Sequence, residues 1–194
     1  MADYTALTEA GMALVEMLRD NLTPEPLGNR EVINLCSPHE SENNQLTLYL
    51  YHIEEDAQNM AAGYYTVDST TERIRPAQFI RHFLMTAHSK APAQMKEADQ
   101  YRIMGAAIQA LRDNPVIPRK YLSGSLASEN AQIHISIERM SMEQLLKIWN
   151  NTSKDYKLSN VITLTGVTIE SKRERRVHRV TEVIIGTDQK EALQ

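Results

Sequence analysis

The stretch Leu46-Thr47-Leu48-Tyr49-Leu50-Tyr51-His52-Ile53-Glu54-Glu55 constrains this chain more than any other. Leu46, Leu48 and Leu50 fall on one face of a strand, and Tyr49, Tyr51 and Ile53 on the other. A strand apolar on both faces has to be covered on both, so it is expected inside a sheet or beneath helices. Glu54-Glu55-Asp56 then reads as a solvated exit from it.

The remaining segments supply the covering layers. Thr5 to Leu22 predicts a helix, because Leu7, Gly11, Leu14, Leu18 and Leu22 recur every three or four residues, and Pro24 and Pro26 stop it. Val32-Ile33-Asn34-Leu35 reads as a short strand. Glu54 to Pro76, with Gly63, Tyr64-Tyr65 and Asp68-Ser69-Thr70-Thr71, reads as a long loop, a length usually kept for function or motion. Phe79 to Met85 is a strand, apolar on both faces. A helix from about Ala93 to Asp113 carries the stripe Tyr101, Met104, Ile108 and Leu111, with Gly105 and Ala106-Ala107 allowing close backbone packing.

Leu122 to Asn130 reads as a small-residue loop, and Ile133 to Ile137 alternates as a strand with one wet face. Ser141 with Gln144 three residues on forms a capping box for a helix that buries Met142, Leu145, Leu146 and Trp149. Met12, Met17, Met104 and Met142 read as core fillers on helices. Leu158 to Ile169 is a long strand interrupted by Gly166. A basic run, Lys172-Arg173-Glu174-Arg175-Arg176, leads into the β-branched, strand-prone Val177–Gly186, and Thr187–Gln194 reads as frayed. The expected fold is α/β (α+β): a mixed, mostly antiparallel sheet packed with about three helices. Residues 1–171 are expected to form one domain and 172–194 a basic, strand-prone arm.

Composition removes several functions. A net charge of −4 gives no bias towards nucleic acid or anionic membrane surfaces. The basic run is broken by Glu174, preceded by Glu170 and free of interleaved aromatics, so a protein-facing arm is favoured over phosphate contacts. Cys36 is the sole cysteine, which forbids an intrachain disulfide and favours a reducing compartment. Met-Ala-Asp-Tyr-Thr has neither a basic n-region nor an apolar h-region, and no apolar run approaches the roughly 20 residues of a bilayer span. Cytoplasmic synthesis is expected.

Catalytic and metal patterns are weak. His39, His52, His82, His88, His134 and His178 make no HExxH or EF-hand-like grouping. His82 and His88 bracket a strand end and form a candidate pair. Cys36 as a nucleophile is opposed by its neutral and acidic neighbours. Glu54, Glu55 and Asp56 suit a cation, but a solvated strand end is the simpler reading. There is no GxGxxG, no Walker loop and no GxSxG. The expectation is a non-enzyme with no cofactor and no metal.

A series of words along the chain carries a resemblance. They are Ala13–Leu22, Ser37-Pro38-His39-Glu40, Leu46–Glu55 and Arg81-His82-Phe83-Leu84-Met85-Thr86-Ala87-His88. Ile103–Ile117, Ile135–Leu145, Trp149 and Tyr156-Lys157-Leu158-Ser159 follow. In this order, over about residues 5 to 171, they resemble the tail-terminator (cap) family of extracellular contractile injection systems, of the virulence-cassette and antifeeding-prophage type. The chain departs from the family pattern in having Pro76 alone before the Phe79 strand, where a Pro-Pro pair is common. It also has a short arm where many members carry a sizeable C-terminal extension.

The resemblance implies a ring-forming subunit, usually a hexamer, on the distal end of an inner tube and its sheath. A heterologous interface that does not close propagates without limit, so a closed ring that fits the last layer ends the polymer. Self, tube and sheath are the implied partners, with no nucleic acid and no direct membrane contact. The finished product would be a phage tail-like particle, released or anchored. Residues expected to meet partners are Glu54, Glu55, Asp56, Tyr64, Tyr65, Arg73, Arg75, Lys172, Arg173, Arg175, Arg176, Val177, Val180 and Val183. The arm is expected either to lie as a strand at the edge of its own sheet or to add a strand to another subunit, its basic lead then steered by acidic partner surface such as Glu54-Glu55-Asp56 of the next copy. The alternatives are a baseplate or neck component of the same machine, a small-molecule-binding α/β enzyme, or a nucleic-acid binder using the arm.

Overall fold

A computed structural model describes residues 3–40, 42–57, 63–150 and 156–177. In chain order the elements are α1 (Ala6–Leu22), β1 (Ile33–Leu35), β2 (Leu46–Glu55), β3 (Tyr64–Thr66), β4 (Thr71–Ile74), β5 (Ala77–Ala87), α2 (Lys96–Asp113), α3 (Gly124–Ser128), β6 (His134–Ile137), α4 (Met142–Asn150), β7 (Ser159–Ile169) and β8 (Glu174–Arg176). The chain divides into a larger unit, 1–61 with 76–170, and a smaller one, 62–75 with 171–194.

The larger unit is built on a five-stranded sheet in the order β1-β2-β5-β7-β6. Only β1 and β2 run parallel; the other neighbours are antiparallel. Because side chains alternate along a strand, Phe83 and Ile162 point to one face while Leu84 and Val161 point to the other. The first face joins α1, α2 and the strands in the main core. The second packs against Leu145 and Trp149 of α4 in a smaller cluster.

Helix α1 is rich in Ala, Leu and Met, which favour helix, and it buries more than a stripe. Ala6, Ala10, Gly11, Ala13, Leu14, Val15, Met17, Leu18 and Leu22 are all buried. Each large apolar side chain so buried stabilises the fold by roughly 1.5–3 kcal/mol. The helix stops at Thr23, extended at φ −120° and ψ 141°, because a residue before proline avoids helical geometry. The capping box forms as expected: the Ser141 amide donates to Gln144 Oε1 (3.0 Å), and the Gln144 amide donates to Ser141 Oγ (3.3 Å).

Several expectations are corrected. Glu54 to Pro76 is not a loop. Glu54 and Glu55 continue β2, opposite Ile80 and Phe79 of β5, and β3 and β4 form an antiparallel pair inside the stretch. β2 is covered on both faces only at its start, since Tyr49 and Ile53 are exposed. On α2 the buried face is Ile103, Met104, Ala107, Ala110 and Leu111, with Tyr101 exposed and open space where a Cβ at Gly105 would lie. Small alanines, rather than the large Tyr101, fill the contact. Met142 and Leu146 are exposed while Leu145 and Trp149 are buried, and Met12 also faces out. Residues 122–130, expected as a loop, contain the short helix α3.

The smaller unit is a three-stranded antiparallel sheet, β3-β4-β8. It pairs Thr71–Arg73 with Glu174–Arg176, so the basic lead of the arm is a strand of its own chain's sheet. The strand expected at Val177–Gly186 and the frayed end expected at Thr187–Gln194 lie outside the described residues, apart from Val177.

Candidate functional site

In the larger unit the expected partner residues lie at the end of β2. Its short neighbour β1 pairs only with Leu46, Thr47 and Leu48, and the Cys36 amide donates to Leu48 O (3.1 Å) just beyond. From Tyr49 to Glu55 the outer edge of β2 has no strand partner among the described residues. A bare edge of this length presents a row of backbone donors and acceptors. Tyr49, Ile53, Glu54 and Glu55 along it are exposed. The Asp56 amide donates to Gln78 O (2.8 Å), which closes the β2–β5 pairing.

Glu54 is engaged within the chain. Its Oε1 accepts from His82 Nε2 at 3.1 Å, and Oε2 lies 3.6 Å from His52 Nε2. The His82 hydrogen bond holds the Glu54 carboxyl below the ordinary carboxylate range. Sequence reasoning missed this grouping. His52-x-Glu54 is visible as a same-face pair on a strand, but the placing of His82 needs the strand register.

In the smaller unit, charge pairs run across the strands. Arg175 on β8 directs Nε (3.0 Å) and Nη2 (2.8 Å) to Glu72 Oε2, and its guanidinium lies 3.8 Å over the Tyr64 ring. Arg73 donates to Glu174 from Nε at 3.2 Å and also from Nη2. The Arg75 amide donates to Gly63 O (3.0 Å), and the Val177 amide to Thr70 O (2.8 Å). Tyr65 faces Arg73 in the strand register and is half-buried. Lys172, Arg173 and Arg176 are exposed. Val180, Val183 and His178 lie outside the described residues.

The catalytic candidates do not converge. His82 and His88 are not a pair, for a strand rising about 3.3 Å per residue holds positions six apart near 20 Å. His88 is buried, with Nε2 3.0 Å from Thr47 Oγ1 and Nδ1 3.4 Å from Lys157 Nζ. Burial, and then the Lys157 charge, pull its pKa down to about 4. Burial raises the Cys36 thiol to about 11, with the Glu40 charge adding to it, so the thiolate nucleophile is disfavoured. Cys36 instead lines an apolar cavity of about 380 Å³ between α1 and the sheet, with Leu7, Leu35, Leu50 and Phe83. No helix among the described residues is long and apolar enough to cross a membrane.

A family model described as the Pvc16 N-terminal domain matches residues 9–182. Among solved structures, the chain is similar to the PVC sheath/tube terminator of an extracellular contractile injection system in its extended state. The TM-score is 0.65 at 17% identity, covering 100% of this chain and 67% of that one. It is also similar to the tube-terminating cap of the anti-feeding prophage, with a TM-score of 0.58 at 18% identity, covering 90% of this chain and 59% of that one. No curated protein matches.

Proposed function

The chain belongs to the Pvc16 N-terminal domain family, and from that premise we propose that it is a structural cap of a contractile injection system. Copies close into a ring, a hexamer, on the distal end of an inner tube and its sheath. The ring ends polymerisation and tethers the sheath, and it does so without catalysis. The observation that carries this reading is the likeness of the whole chain to the PVC sheath/tube terminator. Closure is what a terminator needs physically: each copy spends its heterologous surface on the next, leaving none to continue the filament.

The bare outer edge of β2 supports a way of joining copies. The segment Val177–Ile185 of a neighbouring subunit supplies a strand to Tyr49–Glu55, with main-chain hydrogen bonds giving affinity. Glu54, Glu55 and Asp56 attract the basic lead of that arm, in which Arg173 and Arg176 are exposed. Tyr64, Tyr65, Arg73 and Arg175 then act indirectly, by holding β8 and so fixing where the arm departs.

Particles from cells lacking this gene test the function. Tubes of uncontrolled length with sheaths detached at the distal end are expected under electron microscopy; particles normal in length and intact at both ends overturn the proposal. Deletion of Lys172–Gln194 tests the arm: the larger unit stays folded and particle assembly fails, whereas unchanged assembly removes the arm from the mechanism.

A further inference from the structure

The alternation of a strand places His52 and Glu54 on one face of β2, since residues two apart share a side. On β5, His82 stands directly across from His52 in the register. That register depends on an irregularity: Leu50 faces Phe83 and His52 faces His82, so Tyr51 is an extra residue on β2. A bulge of this kind re-aims side chains locally. Here it brings two imidazoles and one carboxylate together.

The geometry is close to that of a metal site. His82 Nε2 is 3.1 Å from Glu54 Oε1, and His52 Nε2 is 3.6 Å from Glu54 Oε2. One donor atom from each of the three residues lies within 4.8 Å of the other two. Tetrahedral zinc with bonds of about 2.0–2.1 Å separates its ligands by about 3.3 Å, so small side-chain rotations bring all three onto one ion. The imidazole rings lie 5.4 Å apart and are tilted by 33°. His82 is oriented from behind: its Nδ1 is 3.3 Å from Oγ1 of the buried Thr163. A partner on the far ring nitrogen is the usual support of a metal-binding histidine. Glu54 and His52 are half-exposed, so an ion can enter from solvent.

We propose that His52, Glu54 and His82 bind a divalent transition-metal ion of the zinc class, with water completing the coordination. Two neutral imidazoles and one carboxylate select zinc, cobalt, nickel or copper over calcium and magnesium, which favour oxygen donors. The ion joins β2 to β5 beside the bulge, at the end of β2 that has no strand on its outer side among the described residues.

The test uses the purified full chain, stripped with a chelator and titrated with zinc by calorimetry and with cobalt(II) by visible absorption. One equivalent should bind, and cobalt should show the intense bands of low coordination number. His52→Ala and Glu54→Gln, both at exposed positions, should each weaken binding at least tenfold. His52→Ala/His82→Ala should abolish it. His134→Ala, a change at an exposed histidine on β6, should leave it unaltered. Zinc should raise the melting temperature of the wild type and not that of His52→Ala. Absence of zinc binding at micromolar concentration overturns the proposal, as does equal affinity in the wild type and the double variant.

Discussion

Arg81, in the middle of β5, is wholly buried and donates through Nη1 to the main-chain oxygen of Leu7 at 3.3 Å. Its Nε and Nη2 have no partner among the described residues, and burial pulls the guanidinium down to about 10. A buried cation without an opposing carboxylate is a liability, since desolvation costs several kcal/mol and little repays it.

Arg81→Met removes that charge while keeping most of the volume. Urea unfolding should show stability unchanged or raised by about 1–3 kcal/mol. Arg81→Ala leaves a hole instead and should cost about 2–5 kcal/mol. A Met variant as destabilised as the Ala variant would show that the guanidinium itself holds α1 to the sheet.

Gly166 interrupts β7 for a reason of space. It sits at φ +89°, and a Cβ placed there would lie 2.1 Å from the backbone oxygen of Gln132. Backbone cannot swing aside as a side chain can. Around it, Phe79 and Arg81 of β5 face Val167 and Leu164 of β7, so the extra length of β7 is absorbed at the glycine. Gly166→Ala should therefore destabilise by roughly 2–4 kcal/mol, from left-handed strain and the clash together. Gly105→Ala, where nothing lies within 4 Å, should stabilise by about 0.5–1 kcal/mol. Thermal melts of the two variants should move in opposite directions.

The features legible in the sequence are those whose causes are local. The Ser141–Gln144 box, the stop at Pro24 and the alternation of Ile133 to Ile137 each rest on a few neighbouring residues. The features missed depend on partners far away in sequence. β3 and β4 are three and four residues long and lack a clean period, and the third strand of their sheet comes from about a hundred residues later. His52, Glu54 and His82 converge only through a bulge at Tyr51, which no spacing rule reveals. On α2 the small Ala107 is buried as its place in the helix implies, whereas Tyr101, which has the period of the stripe, is left outside because the buried face begins only at Ile103.

His88 should make stability depend on pH. Lys157 Nζ donates to its Nδ1, which keeps that nitrogen unprotonated and gives the proton to Nε2, facing Thr47. The folded pKa of about 4 lies below the unfolded value near 6.5. Between these values the unfolded chain binds the extra proton, so stability falls as pH drops from about 7 to 4 and levels off below. The contribution is on the order of 3 kcal/mol. His88→Gln should flatten that part of the profile in urea titrations at a series of pH values. Parallel slopes for the variant and the wild type would assign the acid sensitivity to other groups.

Arg175 ties β8 to its sheet by side chain, alongside the Arg73–Glu174 pair. Both its Nε and Nη2 meet the same oxygen of Glu72, while the flat guanidinium covers Tyr64. Lysine keeps the charge but has neither the fork nor the plane, so Arg175→Lys is not a conservative change here. Both groups are partly exposed, and the loss should be modest, about 0.5–1 kcal/mol. It should appear locally: faster hydrogen exchange at amides of Thr71–Arg73, the residues paired with β8, with the amides of β5 and β7 unchanged. Salt should have a similar but weaker effect on the wild type, because screening reduces the ion pair and leaves the stacking in place. Exchange rates in β4 that are the same for Arg175→Lys and the wild type would mean that the backbone ladder and the Arg73–Glu174 pair hold β8 without the Arg175 side chain.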